Sequence, residues 1–199
     1  GVVYSLSAGQ VQLRRDKRPR PLVLRVNVGD CLRIHFTNLL DGVQRDIGVV
    51  NAVRRALGPS IKIMTDANNG YRGQFDWMWR FLAETQKSNI YWIEEPFPQD
   101  PALYARLREK MRQAGMKTLL ADGEDMNSIE DLRPYMNPRL IDLTQIDIRR
   151  AGFLGNREAA EFSARHGALC VPHNWGSQIG GLMGLHLAKA VRNAVAAED

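Results

Sequence analysis

The sequence predicts an α/β protein whose larger part is a parallel sheet built from alternating strands and helices. Three observations support this for residues 42–199: short apolar runs alternate with longer helical patterns, Gly or Pro stands at several junctions, and a polar side chain follows each run. Residues 1–41 have a different, β-hairpin character. We therefore predict two regions, a short β segment over 1–41 and an α/β region over 42–199.

The first region is predicted to be a β-hairpin. Apolar and polar residues alternate over 22–28 and again over 31–38, on both sides of the turn Gly29-Asp30. This region also holds seven Lys or Arg against three Asp, in a chain whose net charge is +5. The basic run 14–20 contains no aromatic side chain, so we interpret it as a solvated loop and not as a nucleic-acid site.

The second region contains five predicted strands and six predicted helices. The strands are the apolar runs Ile61–Thr65, Ile90–Ile93, Lys117–Ala121, Leu140–Gln145 and Ala168–Val171. The helices are the stretches Arg45–Leu57, Gln74–Lys87, Pro101–Ala114, Ser128–Met136, Phe153–His166 and Gln178–Val195. Because a helix separates each strand from the next, the connections are long enough for parallel pairing.

The composition is that of a globular protein, with 44% hydrophobic and 25% charged residues among 199. No apolar run approaches the ~20 residues that span a bilayer, and the first residues lack a signal-peptide pattern. The two cysteines, Cys31 and Cys170, each lie in an apolar strand-like run, which favours buried thiols over a disulfide. We therefore expect a cytoplasmic protein without a membrane or nucleic-acid partner.

Each predicted strand is followed by a side chain that can bind a metal or transfer a proton. In chain order these are Asp66, Glu94, the pair Asp122 and Glu124, Asp147, and His173. The carboxyl ends of parallel strands open at one edge, so these side chains are expected to converge. Converging carboxylates repel one another unless a cation neutralises them, and oxygen ligands suit Mg²⁺ or Mn²⁺. A carboxylate beside a histidine makes that histidine a better base.

Five motifs, one at each strand end, resemble the mandelate racemase and muconate-lactonising branch of the enolase superfamily. They are Thr65-Asp66-Ala67-Asn68-Asn69-Gly70-Tyr71, Trp92-Ile93-Glu94-Glu95-Pro96, Gly123-Glu124-Asp125, Gln145-Ile146-Asp147 followed by Gly152, and Pro172-His173-Asn174. Each motif is short, but the five occur in the family's order over about residues 42–199. The resemblance implies a partial (β/α)8 TIM-type barrel of about five βα units.

The resemblance also implies roles for individual residues. By correspondence of motifs, the metal ligands are Asp66, Glu94 and Glu124, the base dyad is Asp147 and His173, and the substrate contacts are Asn68 and Asn174. Asp122 stays open as an alternative to Glu124, because related subgroups use an Asp at that strand end. Glu95 is interpreted as forming an ion pair or supporting a ligand without binding the metal itself.

The activity that the resemblance implies is removal of a proton α to a carboxylate through an enediolate, assisted by Mg²⁺ or Mn²⁺. A dehydratase acting on a sugar acid is the first interpretation, and a racemase or epimerase using the same intermediate is the alternative. The partner is therefore a small-molecule carboxylate. The full-length protein is expected to be a homo-oligomer.

Two features depart from this family pattern. Residues 19–40 resemble a segment of a multicopper-oxidase cupredoxin domain, but they lack its His-x-His and Cys-His motifs, so copper binding is not expected. The family's capping domain, second strand and eighth strand are expected to be absent. A chimeric or truncated chain, inactive by itself or never catalytic, is therefore a further interpretation.

Overall fold

The computed structural model describes residues 42–175 and 178–197, and the chain divides into two units between Asp41 and Gly42. The predicted hairpin and the resemblance of residues 19–40 to a cupredoxin lie outside the described residues. The second unit contains a five-stranded sheet in chain order, in which every neighbouring pair is parallel. Its strands are β1 Ile63–Asp66, β2 Ile90–Glu94, β3 Leu119–Asp122, β4 Leu143–Thr144 and β5 Leu169–Cys170. The predicted parallel α/β arrangement is confirmed.

Six α-helices alternate with these strands. They are α1 Gly42–Leu57, α2 Phe75–Thr85, α3 Pro101–Gln113, α4 Ile129–Met136, α5 Ile148–Arg165 and α6 Gln178–Ala190, with a short 3-10 helix at Gln86–Ser88. The start of α3 shows how the sequence sets a boundary. Asp100 accepts a hydrogen bond from the backbone N–H of Ala102 at 2.9 Å, and Pro101 occupies the first helical position, where no N–H is needed.

The strands separate two apolar layers. The larger layer lies between sheet and helices, and its fully buried side chains include Met78, Tyr104, Leu107, Leu132 and Ile141. A smaller cluster consists of Trp92, Ala121, Leu143 and Val171. Because side chains alternate along a strand, the face that carries Trp92 on β2 also carries Glu94, and the face that carries Val171 also carries His173. The site residues therefore stand above the smaller cluster, which corresponds to the interior of a barrel.

The end of α6 differs from the prediction. The helix stops at Ala190 and not at Val195, because the following residues pair with β5. Cys170 donates its N–H to the carbonyl of Asn193 at 3.0 Å and accepts from the N–H of Val195 at 3.2 Å, which forms a parallel bridge at Ala194. This single bridge lies at the edge of β5 where the next strand of a barrel would pair, but the described residues form no sixth strand there.

The start of α5 also differs from the prediction. It begins at Ile148, five residues before the predicted start, because Asp147 caps its first turn by accepting the backbone N–H groups of Arg149 and Arg150. Gly152 then interrupts the helix with a φ of 65°, a conformation that glycine adopts readily. The helical pattern of the sequence was visible only after this interruption.

The first and last helices, α1 and α6, carry exposed apolar side chains. On α1 these are Val49, Val53 and Leu57, and on α6 they are Ile179, Leu182 and Leu185. In a closed barrel such helix faces pack against neighbouring βα units. The described residues therefore form an open portion of a barrel. None of the described helices has the length and apolar character needed to cross a membrane.

Cys170 gives a direct test of the packing around β5. The residue is 4% exposed, and burial raises the pKa of its thiol to about 12, although a hydrogen bond with Thr144 opposes this. In a Cys31→Ser variant we expect Cys170 to resist DTNB at about pH 8, since the thiolate is the reactive species, and to react rapidly in denaturant. Rapid native-state labelling would show that the pairing around β5 opens readily.

Candidate active site

Five of the seven predicted site residues line one cavity of about 410 Å³ at the carboxyl end of the strands. They are Asp66, Glu94, Glu124, His173 and Asn174. The other lining residues are Met64, Trp92, Val171, Trp175, Ala196 and Ala197. Parallel register explains part of this convergence, because Asp66 at the end of β1 is the register partner of Glu94 at the end of β2.

His173 lies between two carboxylates. Its Nδ1 is 2.9 Å from Oδ2 of Asp147, and its Nε2 is 3.1 Å from Oε2 of Glu124. The backbone holds the residue in place, since the N–H of Ile148 donates to the carbonyl of His173 at 3.0 Å. Because each ring nitrogen faces a different carboxylate, Asp147 can hold a proton on Nδ1 while Nε2 faces the cavity.

Asp147 does not line the cavity but supports His173 from behind. Burial raises its pKa, but hydrogen bonds from the side chain and backbone of Arg149, and from His173, outweigh burial and lower the pKa below its ordinary value. Nη2 of Arg149 donates to Oδ2 at 3.0 Å, and its backbone N–H donates to Oδ1 at 2.7 Å. The carboxylate is therefore ionised at neutral pH. The sequence places Arg149 close to Asp147, but gives no sign that it shares this carboxylate with His173.

Asn68, a predicted substrate contact, lies in the exposed turn after β1 and is not among the residues that line the cavity. Its backbone N–H donates to Oδ1 of Asp66 at 2.7 Å. The backbone of Asn68 has a left-handed φ of 44°. This turn orients the Asp66 carboxylate, and a contact between Asn68 and substrate stays a prediction.

The side chains of Asp122 and Glu124, at the end of β3, lie in different surroundings. Asp122 is fully buried and accepts hydrogen bonds from the hydroxyl of Tyr104 and from Nε2 of Gln99, whereas Glu124 lines the cavity. Gly123 between them has a φ of 134°, and a Cβ there would lie 2.9 Å from the backbone nitrogen of Gln145. Only glycine accommodates this turn. The geometry favours Glu124 over Asp122 as a ligand.

Further acidic side chains surround the predicted ligands. Glu94 and Glu95 are 6% and 2% exposed. In the described part of the chain, the compact group of three is Glu95, Glu124 and Asp125, whose carboxylate oxygens lie within 4.8 Å of one another. Of the predicted ligands it contains Glu124 but not Asp66 or Glu94, so a metal held by those three residues stays a prediction. Among the described residues, no lysine or arginine lines the cavity. The carboxylates that line the cavity offer oxygen ligands, which suit a hard divalent cation.

Mutual repulsion in this acidic group is visible in its pKa values. Burial, followed by the charges of four neighbouring carboxylates with Glu124 foremost, raises the pKa of Glu95 to about 8. Burial likewise raises the pKa of Glu124, with the nearby His173 acting in the opposite direction. Such crowding of anionic groups is what a bound cation relieves, so these residues fit Mg²⁺ or Mn²⁺.

The fold and the motifs agree with a known family. Residues 23–199 match the family described as Enolase C-terminal domain-like, and the chain belongs to it. The resemblance to the enolase superfamily and the partial barrel are thereby confirmed. The match begins at residue 23 and so includes most of residues 19–40, whose resemblance to a multicopper oxidase is unsupported.

Three relatives illustrate the likeness. A D-galactarolactone cycloisomerase from Agrobacterium fabrum is 31% identical over 143 residues, 69% of this chain and 35% of that protein. A galacturonate dehydratase from Geobacillus sp., complexed with D-galacturonate and 5-keto-4-deoxy-D-galacturonate, has a TM-score of 0.74 at 36% identity, covering 82% of this chain and 43% of that one. A mandelate racemase/muconate lactonizing protein from Geobacillus sp. Y412MC10, complexed with magnesium/tartrate, has the same TM-score and identity, covering 82% and 42%. This chain spans less than half the length of each.

Proposed function

We propose that residues 42–197 form the metal-binding and proton-transfer part of a Mg²⁺-dependent dehydratase that acts on a sugar acid. The observation that supports this most directly is the position of His173, which shares one cavity with three carboxylates and contacts Asp147 behind it. The galacturonate dehydratase and the galactarolactone cycloisomerase support the substrate class, since both act on derivatives of sugar acids.

In this proposal Asp66, Glu94 and Glu124 hold the cation, for which Mn²⁺ is an alternative to Mg²⁺. When bound, the ion supplies positive charge that stabilises the negative charge developing on the substrate carboxylate. Its charge would also offset the repulsion between these ligands and an anionic substrate, so we propose that the substrate carboxylate lies at the metal and its α carbon faces His173.

His173 carries the proton in this proposal. Nε2 contacts Glu124 in this structure, so the proposal requires Glu124 to turn toward the cation before Nε2 can accept the proton α to the substrate carboxylate. Nδ1–H donates to Asp147, whose charge stabilises the imidazolium. The imidazolium then returns the proton to the hydroxyl on the neighbouring carbon, and this group leaves as water when its C–O bond breaks. Asn174, which lines the cavity, is proposed to bind a substrate hydroxyl.

A racemase or epimerase would need proton-transfer groups on both faces of the α carbon. Among the described residues that line the cavity, His173 is the only one with an imidazole or amine side chain. One such group is enough for dehydration, because the same nitrogen can take the α proton and return it to the leaving hydroxyl. Because one of the relatives is a galacturonate dehydratase, we place dehydration before racemisation.

The test is a chimera in which residues 42–197 replace the matching part of the Geobacillus galacturonate dehydratase. With Mg²⁺ and a panel of sugar acids, we expect loss of water from at least one substrate, measured by mass spectrometry. A folded, Mg²⁺-binding chimera that only incorporates solvent deuterium at the α carbon would indicate a racemase or epimerase. A folded chimera without either reaction would contradict the proposal. We expect no turnover by the 199-residue chain alone, whose sheet is open.

A further inference from the structure

The first turn of α6 lies against the side chain of Asn174. Gly180 is buried in this turn, and a Cβ at its position would lie 2.0 Å from Oδ1 and 3.0 Å from Cγ of Asn174. Nonbonded heavy atoms prefer separations of about 3.5 Å or more, so these two positions cannot be filled at the same time. The Asn174 side chain therefore occupies space that is available because residue 180 is a glycine.

Gly184, one helical turn further along α6, differs from Gly180 in this respect. It is also buried, but a Cβ there would lie 3.7 Å from the Cβ atoms of Pro172 and Ala197, which is an ordinary van der Waals contact. Of these two glycines, Gly180 is the one that faces a side chain which a methyl group would displace. The need for glycine at position 180 is therefore set by Asn174, and not by close packing along the whole of α6.

Asn174 can give way to an added methyl group mainly by turning its side chain. The residue before it, His173, is held at both backbone groups: its N–H donates to the carbonyl of Ile146 at 3.3 Å, and its carbonyl accepts from the N–H of Ile148 at 3.0 Å. Asn174 itself is 6% exposed and lines the cavity. A methyl group at position 180 would therefore turn this side chain away from α6 and change the surface that the cavity offers to substrate.

Arg149 is the other side chain near this position. Its Cδ would lie 3.3 Å from the same Cβ, a contact that a shift of a few tenths of an ångström relieves. The Arg149 side chain is 42% exposed, so its stem can move toward solvent. The conflict at position 180 therefore falls on Asn174 more than on the arginine that supports Asp147.

We propose that Gly180 is a positioning residue: because it carries no side chain, it lets Asn174 lie against α6 in the conformation that binds a substrate hydroxyl. This rests on the proposed function, in which Asn174 makes that contact. Gly180 is not among the residues that line the cavity, so it acts through Asn174. A larger residue at position 180 weakens substrate binding and leaves the carboxylates and His173 in place.

The first experiment measures thermal unfolding of the whole 199-residue chain. Gly180→Ala is expected to lower Tm by roughly 2–6 °C, because overpacking a filled site destabilises more than alanine stabilises a helix. In an Asn174→Ala background the same replacement should instead raise Tm by about 2 °C, because the conflicting side chain is gone. Gly184→Ala, the matched control on the same helix, should raise Tm by about 2 °C in both backgrounds.

The second experiment measures kcat and KM of the same variants in the chimera described above. Asn174→Ala is expected to lower kcat/KM by about 3- to 10-fold, the effect of one lost hydrogen bond to a neutral hydroxyl. Gly180→Ala should have an effect of the same size, and the double variant should be no worse than either single one, since both changes remove the same contact. Gly184→Ala should keep the wild-type kcat/KM, and Mg²⁺ affinity should be unchanged in all of these variants.

Three results would overturn the role of Gly180 and leave the proposed function intact. They are wild-type kcat/KM in Gly180→Ala although Asn174→Ala is impaired, a double variant whose loss equals the product of both single losses, and a Tm loss in Gly180→Ala that persists in the Asn174→Ala background. If Asn174→Ala is itself without effect on kcat/KM, the contact between Asn174 and substrate is wrong, and the role of Gly180 with it. An inactive wild-type chimera would contradict the proposed function, whereas the Tm comparison tests the contact between the two residues independently.

Discussion

Replacing Asp66 by Asn will remove the thermal stabilisation that Mg²⁺ gives to this chain. The variant leaves two of the three proposed ligands charged, so affinity for a divalent ion falls steeply. At a Mg²⁺ concentration about 100 times Kd, binding stabilises the folded wild type by ~2.7 kcal/mol, or roughly 5–10 °C in Tm for a chain of this size. We expect a shift of about 1 °C or less in the variant, measured by thermal unfolding with Mg²⁺ against EDTA.

The control for Asp66→Asn is Glu130→Gln, which makes the same change of charge outside the cavity. Glu130 lies in the first turn of α4 and pairs with the exposed Arg133. It should keep the full Mg²⁺ shift. Glu124→Gln adds a second comparison, because Glu124 lines the cavity with Asp66 and also lies within 4.8 Å of Glu95 and Asp125. If Glu124→Gln abolishes the shift and Asp66→Asn does not, the ion is bound by Glu95, Glu124 and Asp125.

Replacing His173 by Asn in the chimera is expected to lower kcat by about 10³-fold or more, the effect of removing the proposed general base and acid. Mg²⁺ binding should persist, because the proposed ligands remain.

Replacing Asp147 by Asn in the chimera is expected to lower kcat by roughly 10²-fold, less than the loss of His173, since the neutral amide no longer stabilises the imidazolium. Asn still caps the helix, but the ion pair with Arg149 is lost, so the Tm should fall while the chimera stays folded. Rate constants and Mg²⁺ titrations measure both effects.

His166→Asn is the control for His173→Asn. His166 ends α5, where its Nδ1 lies 2.9 Å from the carbonyl of Phe162 and its ring packs on the Phe162 ring. This replacement should leave kcat unchanged. A His173→Asn chimera that keeps wild-type kcat would show that another group transfers the proton, and the assignment of the base would then fail.

The strand ends could be predicted because their signal is local. Each of the five strands is a short apolar run, and the polar residue that follows it is visible in the sequence without knowledge of the fold. Parallel connection then requires that these residues share one edge, which the cavity around Asp66, Glu94 and His173 shows. The contact between His173 and Asp147 follows from the same rule, since they end neighbouring strands of the barrel order.

Other features had no local signal. That Glu124, and not Asp122, faces the cavity depends on the φ of Gly123 and on the hydroxyl of Tyr104, which comes from a different helix. The pairing of residues 193–195 with β5 overrides a sequence that reads as a continuing helix. In both cases backbone and side-chain hydrogen bonds to distant residues decide the outcome, and such bonds leave no periodic pattern in the chain.

The sequence by itself determined the order of strands and helices and the chemical groups available at one edge, because apolar periodicity and strand-end polarity are properties of neighbouring residues. The tertiary structure alone decided how those groups are held: Arg149 on Asp147, Asn69 on Glu95, and His173 between two carboxylates. The physical reason is that charge and hydrogen bonding act over a few ångströms in space. The residues that share those few ångströms come from different βα units.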